Sequence, residues 1–291
     1  MTVTCNGLPA QVEDLLPALV NYGHFTSLQV RDHAVQGLDL HLARLSQATR
    51  ALFGSELDTV QVQTWMAQAL QQAGLADASL RVTVYSRRFD FRNPLAAVPV
   101  DVLVAVSAPV ALVAPKRVRS VLWQREMPRI KHVGTFGLFA ERRAAMAEGF
   151  DDVLFVTADG DVSEGSTWNL AVHDGERLLW PQAPALRGTA EALLKRHWPD
   201  TQLARPLALA ELGSVKAAFA CNASGLWALE AIDGHLLPSS QALAEQGRAV
   251  LAAVAWQGLG LARPDSTAII ARLPRHPGDW AIGKTPWSRF D

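Results

Sequence analysis

Two Asp-Gly pairs, Asp159-Gly160 and Asp174-Gly175, each stand between apolar runs rich in β-formers. Such pairs signal hairpins, because a type I′ turn puts both of its central residues at positive φ. They commit residues 152–156, 162–172 and 177–180 to strands joined by two consecutive tight turns. Upstream, RSVLWQ (119–124) reads as a strand, followed by PRIKHVGTFG and a helix, LFAERRAAMAEG, closed by Gly149. Downstream, VKAAFACNA and LWALEAI flank Ser224-Gly225 as a further strand pair, and 239–256 reads as a helix.

The N-terminal part has another rhythm. HFTSLQV (24–30) and 34–38 read as short strands joined by an Arg-Asp turn. Leu42, Leu45, Ala48 and Leu52 then recur at helical spacing, and a second helix is predicted over 59–73, ended by Gly74. Residues 81–85 and 100–106 read as strands by their β-branched content. The expected architecture is therefore α/β of the α+β kind, in two lobes. A small N-terminal lobe spans 1–110, a Pro-containing basic linker 111–117, and a larger C-terminal lobe 118–291. The last thirty or so residues carry Pro264, Pro274, Pro277 and Pro286 with little periodicity and are expected to wrap the surface.

Composition narrows the function classes. With 49 % hydrophobic and 19 % charged residues the chain is globular, and 27 basic against 28 acidic residues argue against an electrostatically driven nucleic-acid or membrane binder. No apolar stretch reaches the roughly 18 residues of a membrane span. Two cysteines, Cys5 and Cys221, make no disulfide framework and fit a reducing cytoplasm, and no metal-ligand spacing is present.

Of the 27 basic residues only five are lysines: Lys116, Lys131, Lys195, Lys216 and Lys284. Unlike arginine, a lysine can shed its proton and act as an amine nucleophile. Lys131 stands out, between Ile130 and Val133 and just before Gly134, Thr135 and Gly137. A half-buried position there would lower its pKa, yet the residues alone leave open whether it is structural or reactive. In the same way Glu164 reads equally as a surface ion-pair partner, Arg44 as a helix arginine lying along apolar neighbours, and Gly188-Thr189 as a helix cap.

The stretch from Ile130 to Val172, with Val162-Ser163-Glu164-Gly165-Ser166-Thr167-Trp168-Asn169 at its heart, resembles the core of the class IV pyridoxal-phosphate enzymes. These include branched-chain and D-amino-acid aminotransferases and aminodeoxychorismate lyase. NYGHFTSLQV, His41-Leu42-Ala43-Arg44-Leu45 and Cys221-Asn222-Ala223 extend the resemblance over residues 21 to about 234. It implies fold type IV, with pyridoxal 5′-phosphate at the junction of the lobes and no metal. By resemblance Lys131 carries the cofactor as an aldimine and shuttles the proton, and Glu164 holds the pyridine nitrogen. Arg44, the amides of Thr189 and Ala190, and Asn222 hold the phosphate. Tyr22, His24, Thr26, Arg81 and Trp168 are expected near the substrate, and Arg87 and Arg88 are further carboxylate-binding candidates.

Several positions depart from the branched-chain pattern. Phe136 stands where a tyrosine touches the cofactor, and Thr26 with Cys221-Asn222-Ala223 leans toward the lyases. The resemblance implies a homodimer that moves an amino group between an amino acid and a 2-oxo acid. β-Elimination from aminodeoxychorismate, giving 4-aminobenzoate and pyruvate, is the alternative, and a non-catalytic binding relative is a third reading.

Overall fold

The computed structural model describes residues 1–110 and 114–260. In chain order the first part forms β1 (Thr2–Cys5), β2 (Leu8–Pro9), α1 (Val12–Ala18), β3 (His24–Val30), β4 (Ala34–Gln36), α2 (Leu38–Phe53), α3 (Thr59–Ala73), β5 (Ala78–Tyr85) and β6 (Asp101–Ser107). Its sheet runs β2-β1-β6-β5-β3, with every pair antiparallel. Helices α2 and α3 bury Leu45, Ala48, Leu52, Val62, Met66 and Leu70 against Leu28, Val30, Leu80, Val82, Val84 and Val104. Helix α3 has the span its periodicity predicts. Asp58 caps it by accepting from the Gln61 amide at 2.9 Å, and Gly74 closes it at φ +65°.

The second part comprises β7 (Lys116–Leu122), α4 (Phe136–Ala147), β8 (Asp152–Val156), β9 (Val162–Gly165), β10 (Asn169–His173), β11 (Leu178–Pro181), α5 (Thr189–His197) and β12 (Gln202–Arg205). A 3₁₀ turn at Leu209–Ser214 leads to β13 (Ala217–Asn222), β14 (Gly225–Ile232), β15 (His235–Leu236), α6 (Ser240–Ala252) and β16 (Trp256–Gly258). The sheet order is β12-β11-β10-β13-β14-β7-β8-β9, with β15 added on β14. Strand β7 lies parallel to both of its neighbours.

The structure corrects several expectations. Residues 162–172 are two strands. Gly165 has no side chain, and a Cβ there would stand 1.8 Å from the Trp168 ring, so the indole fills that space. The Gly165 amide donates to the Trp168 carbonyl at 2.8 Å, and the chain turns from β9, paired with β8, into β10, paired with β11 and β13. Both Asp-Gly hairpins form, but only Gly160 (φ +84°) and Gly175 (φ +115°) take positive φ, so neither turn is type I′. Paired positive φ values occur instead at Asn6-Gly7, Asp32-His33 and Asp233-Gly234. The helix expected over 239–256 ends at Ala252, and Trp256 opens a strand paired with β4. Lys116 and Arg117, read as linker, lie on β7. The proline-bearing tail lies outside the described residues.

Candidate active site

Side chains alternate across a strand, and β3 uses both faces. His24, Thr26 and Leu28 turn toward α2. Phe25 and Ser27 turn the other way, beside Arg81 and Thr83 of the paired β5. That second face walls a cavity of about 260 Å³. The opposite walls are Glu164 on β9, Ser166 to Trp168 in the turn after it, Asn169 at the start of β10, Asn222 at the end of β13, and Gly188-Thr189 at the start of α5.

Lys131 reaches this cavity from a segment fastened to β3 by backbone bonds. The Phe25 amide donates to the Lys131 carbonyl at 2.9 Å, and the Val133 amide to the Gly23 carbonyl at 3.0 Å. The amine lies 4.8 Å from the Phe25 ring centre, and the Arg81 guanidinium 3.5 Å from the same centre. Burial lowers the Lys131 pKa to about 7, with Arg44, Arg125 and Arg81 pushing the same way and Glu164 opposing. A substantial fraction is therefore neutral amine near pH 7.

Glu164 is buried, and burial raises its carboxyl pKa. Arg125 and the Leu186 amide pull in the opposite direction. Arg125, itself buried, donates from Nε to Glu164 Oε1 at 2.9 Å. Arg125 is a charged site residue that sequence reading missed. It lies in an irregular stretch between β7 and Lys131, where no periodicity marks a buried arginine.

Arg44, half-buried on α2, donates to Thr26 Oγ1, and its Nε is buried without a partner. Burial lowers its pKa to about 10. No side chain caps the N-terminus of α5 at Gly188, so its first amides are available to an anion. A Cβ on Gly188 would meet Asn169 Oδ1 at 2.3 Å, so glycine allows the close approach there. Asn222 donates to the Thr167 carbonyl at 3.1 Å and accepts from the Ser224 amide at 2.8 Å.

Of the expected residues, Lys131, Glu164, Arg44, Thr189, Asn222, Arg81 and Trp168 line this one cavity. Others do not. Ala190 lines a neighbouring cavity. Tyr22 stacks on Phe89 at 4.0 Å and donates to the Leu52 carbonyl. His24 is buried on Thr49 Oγ1 at 3.0 Å, and Thr26 bonds His41 Nδ1 at 2.7 Å, both on the α2 side of β3. Arg87 pairs with Asp14 at 2.8 Å, and neither it nor Arg88 lines the cavity. Phe136 is 87 % exposed. Thr135 and Phe139, its neighbours in sequence and one helical turn on, line the cavity instead.

A phosphorylated pyridine fits these residues. The unpartnered buried Arg44 Nε and the uncapped α5 amides offer donors at one end, a buried carboxylate lies in another wall, and an amine of lowered pKa lies in the same space.

Residues 23–232 match the family described as Amino-transferase class IV, and the chain belongs to that family. A bifunctional aminodeoxychorismate lyase / D-amino acid transaminase of Mycobacterium tuberculosis is 29 % identical over 214 residues, 65 % of this chain and 72 % of the relative. The PLP-bound form of a hypothetical aminotransferase from M. tuberculosis superposes with TM-score 0.72 at 23 % identity, covering 87 % of this chain and 98 % of that one. The branched-chain aminotransferase of Thermoproteus uzoniensis gives 0.75 at 20 % identity, covering 86 % and 93 %. These likenesses make the fold that of the type IV pyridoxal-phosphate aminotransferases.

Proposed function

We propose that the protein is a pyridoxal-phosphate-dependent aminotransferase that moves an amino group between an amino acid and a 2-oxo acid. The observation that carries this reading is the convergence of Lys131, Glu164, Arg44 and the open N-terminus of α5 on one cavity. When bound, pyridoxal phosphate supplies an electron sink for the substrate Cα. Arg44, the amide of Thr189 and the second amide proton of Asn222 would hold the phosphate. Glu164 would accept a hydrogen bond from the protonated ring nitrogen through the oxygen that Arg125 leaves free. The Lys131 amine, with a pKa near neutrality, would take the proton from the substrate Cα and deliver it to cofactor C4′, the shift that transamination requires. Arg81, exposed at the cavity wall beside Phe25, grips a substrate carboxylate.

β-Elimination from aminodeoxychorismate is the second reading. It is supported by Cys221-Asn222-Ala223, whose asparagine lines the cavity, and by the double activity named for the M. tuberculosis relative. The two free, buried cysteines fit a cytoplasmic location, and no described helix is long and apolar enough to cross a membrane. Exposed Phe136 and Phe139, three residues apart on α4, suit coverage by a second copy in a homodimer.

Purified protein should be yellow. It should convert a panel of amino donors with 2-oxo acids, and release no 4-aminobenzoate from aminodeoxychorismate. Release of 4-aminobenzoate and pyruvate without transamination would replace the leading reading with the lyase. A colourless protein that takes up no added cofactor would leave only a binding module.

A further inference from the structure

The face of β3 that offers Phe25 and Ser27 to the Lys131 cavity continues to Gln29 and, past the strand end, Arg31. These line a second cavity of about 380 Å³, separated from the first by Thr189 and the Asn222–Ser224 turn. Its polar wall is cationic. Arg31 and Arg248, from the β3–β4 hairpin and α6, both line it, and among the described residues no aspartate or glutamate does. Among the described residues neither arginine pairs with a carboxylate. Each is anchored through one nitrogen only: Arg31 Nη1 donates to the Val30 carbonyl at 2.7 Å, and Arg248 Nη1 to the Leu226 carbonyl at 3.3 Å. The rest of each guanidinium fork is free to bind an oxyanion.

His41 adds a donor. Arg44 reaches both Thr26 Oγ1 and His41 Nδ1, the latter at 3.5 Å, and an arginine can only donate. Nδ1 is therefore the acceptor, the Thr26 hydroxyl donates to it, and the ring proton sits on Nε2. Leu193, Leu251 and Trp256 make the remaining wall apolar.

We propose that this cavity is a second binding site, separate from the Lys131 cavity, for a small organic oxyanion. Its phosphate or carboxylate head lies against Arg31 and Arg248, and its apolar body against Leu193, Leu251 and Trp256. The shared wall at Thr189 and Asn222 couples the site to the residues assigned to the cofactor phosphate.

Calorimetric titration of phenyl phosphate, benzoate and inorganic phosphate tests this, on the protein as purified and again after saturation with pyridoxal phosphate. Phenyl phosphate or benzoate should bind at one site in both preparations, and at least tenfold more tightly than inorganic phosphate. The double variant Arg31→Gln/Arg248→Gln should weaken binding at least tenfold. Ala252→Phe, which fills the cavity and leaves both arginines, should do the same. Arg44→Ala should not. No binding, or binding unchanged by both the double variant and Ala252→Phe, overturns the site. Binding lost on cofactor saturation or in Arg44→Ala would place the anion in the Lys131 cavity and also overturn it. Equal affinity for inorganic phosphate would overturn the organic ligand. A colourless protein would count against the aminotransferase reading alone, because the titration of the purified protein stands without it.

Discussion

Lys131 is chemically distinct from the other lysines because its burial, with three arginines adding to it, brings its pKa down to about 7. Borohydride reduction of the holoprotein should fix the cofactor to a single peptide containing Lys131. Lys131→Ala should lower turnover by far more than the roughly 10²–10⁴-fold of lost acid–base help alone, since attachment and proton transfer disappear together. Arginine should not rescue it, because a guanidinium stays protonated. Arg125 has two effects at this scale: it opposes the rise in the Glu164 pKa and it depresses that of Lys131. Arg125→Gln should therefore raise both pKa values. The pH midpoint for modification of Lys131 by an amine-selective reagent should move up from about 7, and Arg125→Lys should restore part of the shift. A midpoint unchanged in Arg125→Gln would remove Arg125 from the electrostatics of the site.

Helix α5 acts through its first turn. Gly188 has an ordinary extended backbone at φ −78°, so a side chain there meets no backbone strain, only Asn169 Oδ1 at 2.3 Å. Gly188→Ala should push the first turn away from Asn169 and weaken cofactor binding more than it lowers the melting temperature of the apoprotein. Equal effects on both would mean that Gly188 serves packing alone. Arg44→Ala, on α2, should cost about 1.5–3 kcal/mol of cofactor affinity, or roughly one to two decades. Titration with pyridoxal phosphate followed by absorbance reads this directly. Strand β3 makes both cavities possible, because its alternation gives α2 one set of side chains and the sites the other.

At the scale of the whole molecule, buried histidines set the acid limb of stability. Burial, with Arg44 adding to it, lowers the His24 pKa to about 3, and His41 is lowered for the same reasons. Between pH 3 and 6.5 the unfolded chain therefore binds more protons than the folded one. Stability contributed by a neutral His24 is complete above pH 6.5 and is lost as pH falls toward 3. Lys131 adds a slope of the same sign at higher pH: the apoprotein should gain stability from about pH 7 toward 10.5, as the unfolded lysine stays protonated and the folded one does not. Urea midpoints measured from pH 4 to 8 should rise with pH, and His24→Gln should flatten the lower part of that rise. An identical slope in the variant would assign the acid limb to other groups.

Local chemistry made much of this legible in advance. Helical periodicity and Gly74 mark α3, β-branched runs mark β5 and β6, and the order of lysine, helix, hairpin and Glu164 carries the resemblance to the family. The fate of residues 162–172 was not legible, because a break at Gly165 depends on where the Trp168 ring comes to rest. Nor could sequence separate Phe25 and Ser27 from His24 and Thr26. Alternation says that neighbours point to opposite faces, but only the docking of α2 decides which face is core. Phe136 illustrates the same limit. Its place in the motif put it at the cofactor, whereas the start of α4 turns it outward and brings in Thr135 and Phe139. Sequence by itself determined the elements and the chemical groups, since propensity, caps and spacing act within a few residues. Tertiary structure alone decided which groups meet, because Arg125 and Glu164, distant in the chain, pair only once the sheets pack, and Arg31 and Arg248 come to line one cavity only then.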